Sequence, residues 1–275
     1  MSEQNCTHDC STCGANCSSR EGGIPKEQLK DGSSVKKVIA VVSGKGGVGK
    51  SLVATMLAVT AMRKGLKVGI LDADITGPSI PKAFGIAGGT FQTEFGIEPA
   101  RSTGGIRIIS LNMLIEHPDE PVVWRGSMIA GCVKQFWSEV HWGELDLLVI
   151  DMPPGTGDVP LTVFQSIPVD GVVVVSSPQE LVEMIVGKSV RMCEMMNKPV
   201  LALVENMSYF QCPKCGEIHE IYGESKALAL AGHFKIPRHA RLPVDPKIAQ
   251  LVDGGGAENV ELPADAAQCL EAIIS

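Results

Sequence analysis

The sequence predicts an α/β fold of three layers, a mostly parallel central sheet with helices on both faces. Three observations carry this. From Val35 onward, strand-like apolar runs alternate with helix-like segments, the order expected of βαβ units. The runs are continuous in Val, Ile and Leu rather than alternating with polar residues, which suits strands buried on both faces. The first of them, Val38-Ile39-Ala40-Val41-Val42, passes directly into a Gly-rich loop ending in Lys-Ser, and such a loop belongs between a strand and a helix.

Taken in order, strands are expected at Val38–Ser43, Lys67–Asp72, Ile106–Leu111, Leu145–Asp151, Gly171–Ser176 and Val200–Glu205, with a further one near Arg238–Leu242. Helices are expected to start at Lys50, Ser79, Ser127, Asp158, Gln179, Ser225 and Asp245, with a last one in Ala264–Ile274. Ser79 and Asp158 are candidate N-caps, because a short side-chain oxygen can accept from the free N–H groups of a first turn. Residues 35–275 therefore form one compact domain. Residues 1–34 form a tail whose only branched aliphatics are Ile24 and Leu29, too few to build a core.

Gly44-Lys45-Gly46-Gly47-Val48-Gly49-Lys50-Ser51 has the form G-x-x-x-x-G-K-S. The glycines let backbone N–H groups approach an anion closely, and the following helix adds its N-terminus. Lys50 can reach β- and γ-phosphates, and the Ser51 hydroxyl can ligate Mg²⁺. Lys45 is not needed for that cradle. It is expected at the rim, facing outward, either as a solvated surface lysine or reaching a partner's nucleotide as a finger in trans.

Two strands end in acids. Asp72-Ala73-Asp74 closes one, and Asp151 begins Asp151-Met152-Pro153-Pro154-Gly155-Thr156-Gly157-Asp158 after the other. Ligands bind beyond the carboxyl ends of parallel strands, so these acids should gather beside the phosphate loop. Asp151 fits an acid that holds Mg²⁺ through water, Asp74 one that orients an attacking water, and Asp72 an outer-shell group, the last two being exchangeable on spacing alone. The segment around Thr156 reads as a switch or as a plain rigid loop. Asn206, after the strand Val200–Glu205, can read a purine edge or make an Asx turn.

The chain carries nine cysteines, which in a reducing compartment speak for metal or redox chemistry more than for disulfides. Cys212-Pro213-Lys214-Cys215-Gly216 aims two sulfurs at one ion and so supplies half a tetrahedral site. Two copies across a two-fold axis would give four thiolates for a [4Fe–4S] cluster or a zinc ion. An intrachain zinc knuckle completed by His219 and a dithiol redox pair are the other readings. Cys6, Cys10, Cys13 and Cys17, spaced C-x3-C-x2-C-x3-C, can close on a second cluster or a zinc, or remain unliganded. Cys132, Cys193 and Cys269 lie within apolar or helical patterns and read as structural.

The motifs GKGGVGKS, DADITGPS, DMPPGTGD, ENMSYF and CPKCG occur in that order between residues 36 and 252. Together they resemble the Mrp/ApbC family of iron–sulfur cluster carrier ATPases, within the superfamily of MinD, ParA and nitrogenase reductase. The resemblance implies a P-loop NTPase fold of the MinD kind and ATP bound by Gly44 to Ser51. It makes Lys45 the signature lysine, puts Asp74 and Asp151 in the switch segments, and makes Cys212 and Cys215 the ligands of a cluster bridging a homodimer. It also implies weak ATP hydrolysis coupled to delivery of the cluster to apo-proteins. Bacterial relatives commonly lack such a tail, and eukaryotic scaffolds space its cysteines more widely.

A net charge of −7 favours neither nucleic acid nor an anionic membrane. No 18-residue apolar stretch or leader pattern is present, and a cytoplasmic location is expected. Two rivals to a carrier are a positioning ATPase and an electron donor like nitrogenase reductase. The first needs a basic C-terminal helix, but Glu261–Ser275 carries no Lys or Arg. The second needs a cysteine beside the switch, and Asp151–Asp158 has none.

Overall fold

The computed structural model describes residues 26–74, 79–88, 90–93, 96–114, 126–179 and 182–275. Cys6, Cys10, Cys13 and Cys17 lie outside the described residues.

The core strands are β1 (Val38–Ser43), β2 (Val68–Asp72), β3 (Arg107–Ser110), β4 (Leu147–Asp151), β5 (Gly171–Ser176), β6 (Val200–Gln211) and β7 (His239–Pro243). They run parallel in the order β7-β6-β5-β1-β4-β2-β3. Two short antiparallel pieces complete the sheet, Ala100–Arg101 on β3 and Ile218–His219 on the far end of β6. The helices are α1 (Lys50–Arg63), α2 (Ser79–Ala83), α3 (Gly126–Glu139), α4 (Asp158–Ser166), α5 (Val182–Met195), α6 (Ala227–His233), α7 (Pro246–Asp253) and α8 (Ala264–Ile274).

Strands β1, β2, β4 and β5 are buried at every residue, as their unbroken apolar runs require. Their alternate side chains feed two cores. Val38, Ala40 and Val42 of β1 join Phe136 and Trp137 of α3, Phe164 of α4 and Val186 of α5 on one face. Ile39 and Val41 join Met56 and Leu57 of α1 and Leu270 and Ile273 of α8 on the other. The three-layer expectation is met.

Boundaries differ in ways that matter for the site. Asp158 is not the N-cap of α4: that position is Gly157, in extended backbone, and Asp158 is the first helical residue. An acid in the first turn still complements the helix dipole. At α7 the cap forms as a cap should, Asp245 accepting from the Lys247 N–H at 2.8 Å. The chief correction concerns β6. It does not stop at Glu205 but continues to Gln211 through a register shift between Glu205 and Tyr209. Met207 makes that shift in left-handed backbone, φ 57°. Asn206 therefore sits inside a bulged strand rather than after it.

The root of the tail is tied down at the opposite end of the sheet from the Gly-rich loop. Lys26 Nζ donates to the Phe164 and Gln165 carbonyls at 2.7 and 2.8 Å, covering free acceptors at the C-terminal end of α4. Trp137 Nε1 donates to the Glu27 carbonyl at 2.8 Å. Leu29 packs against the first core.

Candidate nucleotide site and cysteine hairpin

The order of strands reverses around β1, and the loop after it opens at the carboxyl end of the sheet, where α/β folds bind ligands. Gly49 precedes α1 in left-handed backbone, φ 82° and ψ 29°, with no side-chain cap. No acid occupies the first turn of α1. The leading N–H groups of a 14-residue helix are thus left for an anion.

Lys50 is almost fully buried and lies between two acids. Its Nζ is 2.7 Å from Asp151 Oδ1 and 3.3 Å from Asp74 Oδ2. Asp151, at the end of β4, is completely buried, and its second oxygen has no hydrogen-bond partner among the described residues. Burial pushes its carboxyl up, opposed by Lys50. Asp72 stands beside Asp151 in register, with Ser110 on its other side. Ser110 Oγ donates to Asp72 Oδ2 at 2.8 Å, and the Asp74 N–H donates to Asp72 Oδ1 at 3.0 Å. Burial first, and then the charge of Asp151, hold Asp72 well above the ordinary carboxylate range. The geometry separates the two acids that spacing left exchangeable. Asp74 faces the lysine and is partly open, whereas Asp72 is buried beneath and positions the backbone of Asp74.

Lys45 is half-buried at the rim of the loop, and its ammonium makes a solvent-exposed contact. Its Nζ donates to Gln179 Oε1, beyond the end of β5. Ser176 and Ser177 lie under this contact, buried with hydroxyls that have no partner among the described residues. Asn206 is 3% exposed, and its Nδ2 donates to the Val48 carbonyl at 3.0 Å, bracing the Gly-rich loop from below. The segment Pro153–Gly157 borders the loop: the Gly155 N–H donates to the Ser43 carbonyl at 2.8 Å.

The cysteine pair is at the tip of a hairpin formed by the end of β6 and Ile218–His219. The Cys212 N–H donates to the Glu217 carbonyl and the Gly216 N–H to the Cys212 carbonyl, at 2.8 and 2.9 Å. Gly216 closes this turn at φ 77°. Cys215 is exposed and Cys212 half-buried. The backbone N–H groups of Cys215 and Lys214, and then the Cys215 thiol, lower the Cys212 thiol below its ordinary value. His219 points to Glu217, at 3.8 Å. Among the described residues no three Cys, His, Asp or Glu side chains converge on one metal-sized point.

These features coincide with a known family. Residues 34–275 match the family model of ParA, described as NUBPL iron-transfer P-loop NTPase. The chain belongs to this NUBPL family. An iron-sulfur cluster carrier protein of Clostridium perfringens (strain 13 / Type A) is 40% identical over 265 residues, covering 90% of this chain and 93% of that protein. A nucleotide-binding protein from Archaeoglobus fulgidus, solved in complex with ADP, superposes with a TM-score of 0.75 at 45% identity, covering 84% and 90% of the two chains. The Pyrococcus furiosus cell division ATPase MinD superposes with a TM-score of 0.62 at 17% identity, covering 86% and 98%, which shows the shared fold. Sequence reasoning about the NUBPL site missed Gln179 as a partner of Lys45, and it missed Glu205, Ser208 and Arg241 behind the hairpin. The one available signal was a charge closing the apolar run Val200-Leu201-Ala202-Leu203-Val204-Glu205. No helix among the described residues is long and apolar enough to cross a membrane.

Proposed function

We propose that the chain binds ATP at Gly44–Ser51, hydrolyses it slowly, and carries an iron–sulfur cluster on Cys212 and Cys215 of two copies, delivering it to apo-proteins. The observation that carries this is the cysteine pair: two surface thiols on a hairpin whose supporting strand touches the phosphate loop through Asn206. Two thiols are half of a tetrahedral set, and a second copy supplies the other half by symmetry. Ile218, Ile221 and Tyr222 are exposed beside the pair, an apolar surround that a second copy would cover. The names of the relatives favour a carrier over a positioning ATPase or an electron donor.

In this reading the backbone of the loop and Lys50 hold the phosphates. Asp74 orients the water that attacks the γ-phosphorus as the bond to the ADP oxygen breaks, and Lys45 of one copy stabilises charge on the nucleotide of the other. The residues present fit Mg²⁺: Asp151 offers a buried, unpaired oxygen suited to a hydrated ion, and Ser51 a hydroxyl in the first turn of α1. When bound, the ion would neutralise phosphate charge. Asn206 carries an amide that can also serve the base, and the four tail cysteines a second cluster or a zinc.

Anaerobic reconstitution with iron and sulfide, followed by metal analysis and sedimentation, tests the proposal. The expected result is one cluster per two chains, lost in Cys212→Ala while ATP still binds. An iron-loaded, ATP-saturated protein that sediments as a single chain would overturn it, as would a Cys212–Cys215 site that takes zinc and refuses iron.

A further inference from the structure

Behind the cysteine hairpin a chain of hydrogen bonds crosses from the interior to the surface. Glu205 is completely buried on β6. Its Oε1 accepts from the Lys226 N–H at 3.1 Å, and its Oε2 from Ser208 Oγ at 2.7 Å. Ser208 Oγ in turn accepts from Arg241 Nε at 2.7 Å. Arg241, on β7, places its guanidinium 5.3 Å from the Tyr209 ring centroid and donates from Nη2 to Glu220 Oε1 at 2.7 Å. Glu220 immediately follows the returning strand Ile218–His219 of the hairpin. One end of the relay is therefore a buried carboxylate and the other is the stem that carries Cys212 and Cys215. The fork of an arginine fixes two acceptors at once, which a lysine cannot reproduce.

The same stretch of β6 also reaches the phosphate loop. Asn206 donates to Val48, two residues before Ser208 meets Arg241, and the left-handed Met207 between them turns the two side chains to different neighbours. Asn206 and Ser208, separated by one residue, thus bond the nucleotide loop on one side and the hairpin support on the other. A contiguous set of packed and hydrogen-bonded groups is a physical route for coupling two sites.

We infer that Arg241 is a positioning residue for the cysteine pair, and that Asn206-Met207-Ser208 with Arg241 and Glu220 transmits nucleotide occupancy from the Gly-rich loop to the thiols. The inference rests on the carrier reading for its purpose, but its physical content is a link between ATP and the hairpin. Displacement of the loop against Val48 moves the strand at Asn206, and the relay passes this to Glu220.

The test uses the full chain without iron and measures the alkylation rate of Cys212 and Cys215 by peptide mass, with and without Mg·ATP. In the parent protein ATP should slow alkylation by about threefold or more, a change of the size expected for coupled sites. In Arg241→Gln and in Glu220→Gln the response to ATP should vanish, with ATP affinity within about twofold of the parent, since neither residue touches the phosphate loop. Arg241→Lys should recover only part of the response. Thermal unfolding of each variant reports whether the fold is kept, and Glu220, at the surface, provides the variant least able to disturb it. A parent protein whose cysteines ignore ATP overturns the inference, as do variants that respond to ATP as the parent does. A separate reconstitution of Cys212→Ala that still binds the cluster would sink the carrier reading without touching this result.

Discussion

Gly49 and Asn206 are in mutual contact at the point where the phosphate loop turns into α1. A Cβ on Gly49 would stand 2.1 Å from Asn206 Nδ2, and the backbone of Gly49 is left-handed. Moving the amide aside would break its buried bond to the Val48 carbonyl. Two separate physical demands therefore select glycine here, one from φ and one from space.

Gly49→Ala should accordingly cost roughly 2–4 kcal/mol, the sum of a left-handed penalty and an overpacked contact. For a domain of this size that is a fall of ~5–15 °C in Tm. Calorimetry of the nucleotide-free protein measures it, and ATP binding should be lost in the same variant. Gly47→Ala is the control: its Cβ would meet nothing within 4 Å, which leaves only the penalty of its φ of 77°.

Lys45 bonds to Gln179 rather than to its own loop. Lys45→Ala should therefore leave ATP affinity within about threefold of the parent and lower kcat by about a hundredfold or more, as removal of a charge-stabilising finger does. Asp74→Asn should lower kcat as well. Mixing the two inactive proteins in equal amounts should restore about a quarter of the parent rate, because half of the dimers then hold one complete site. If the mixture stays as inactive as its components, Lys45 acts within its own chain.

Asp72 supplies a pH dependence whose sign is fixed by its surroundings. Its carboxyl in the folded protein sits well above the ordinary range, so the folded state holds this proton more tightly than the unfolded chain. The resulting stability is fully present below the usual aspartate range and is lost as pH rises through the raised folded value. Asp72→Asn keeps an acceptor for the Asp74 N–H, and the Ser110 hydroxyl can turn to meet the amide. This variant should unfold at a higher temperature than the parent at pH 8, with the gap closing toward pH 4. A gap that widens in acid would contradict the assignment.

Among the cysteines of residues 26–275, a thiol reagent at pH 8 should modify Cys212 and Cys215 first. Burial pushes the Cys193 thiol up to about 12, which leaves roughly one thiolate in ten thousand at that pH. Burial also raises Cys269. Peptide mapping over time gives the order directly, and early labelling of Cys193 would show that α5 opens readily.

Local chemistry was legible in the sequence wherever one segment determined it. The apolar runs gave the parallel strands, and the Gly-rich loop and the strand-terminal acids fell at one end of the sheet as their positions required. What stayed hidden was set by contacts between distant segments. Ser208 and Arg241 lie 33 residues apart and Lys45 and Gln179 lie 134 apart, and no periodicity connects them. The continuation of β6 past Glu205 was hidden for another reason. A bulge breaks the pairing pattern, and the polar residues Asn206 and Ser208 read as a loop until β7 and the phosphate loop are seen to satisfy them. Asp72 and Asp74 differ only in which way the chain turns after Leu71, which composition does not encode.

Two carboxylates, Asp74 and Asp151, share the ammonium of Lys50 in a largely dry corner of the molecule, with Asp72 buried beside them. Like charges so placed repel, and each divalent ion or proton that arrives relieves the repulsion. Without the Lys50 ammonium, Asp74 and Asp151 would face each other uncompensated, so one side chain keeps this corner of the fold together.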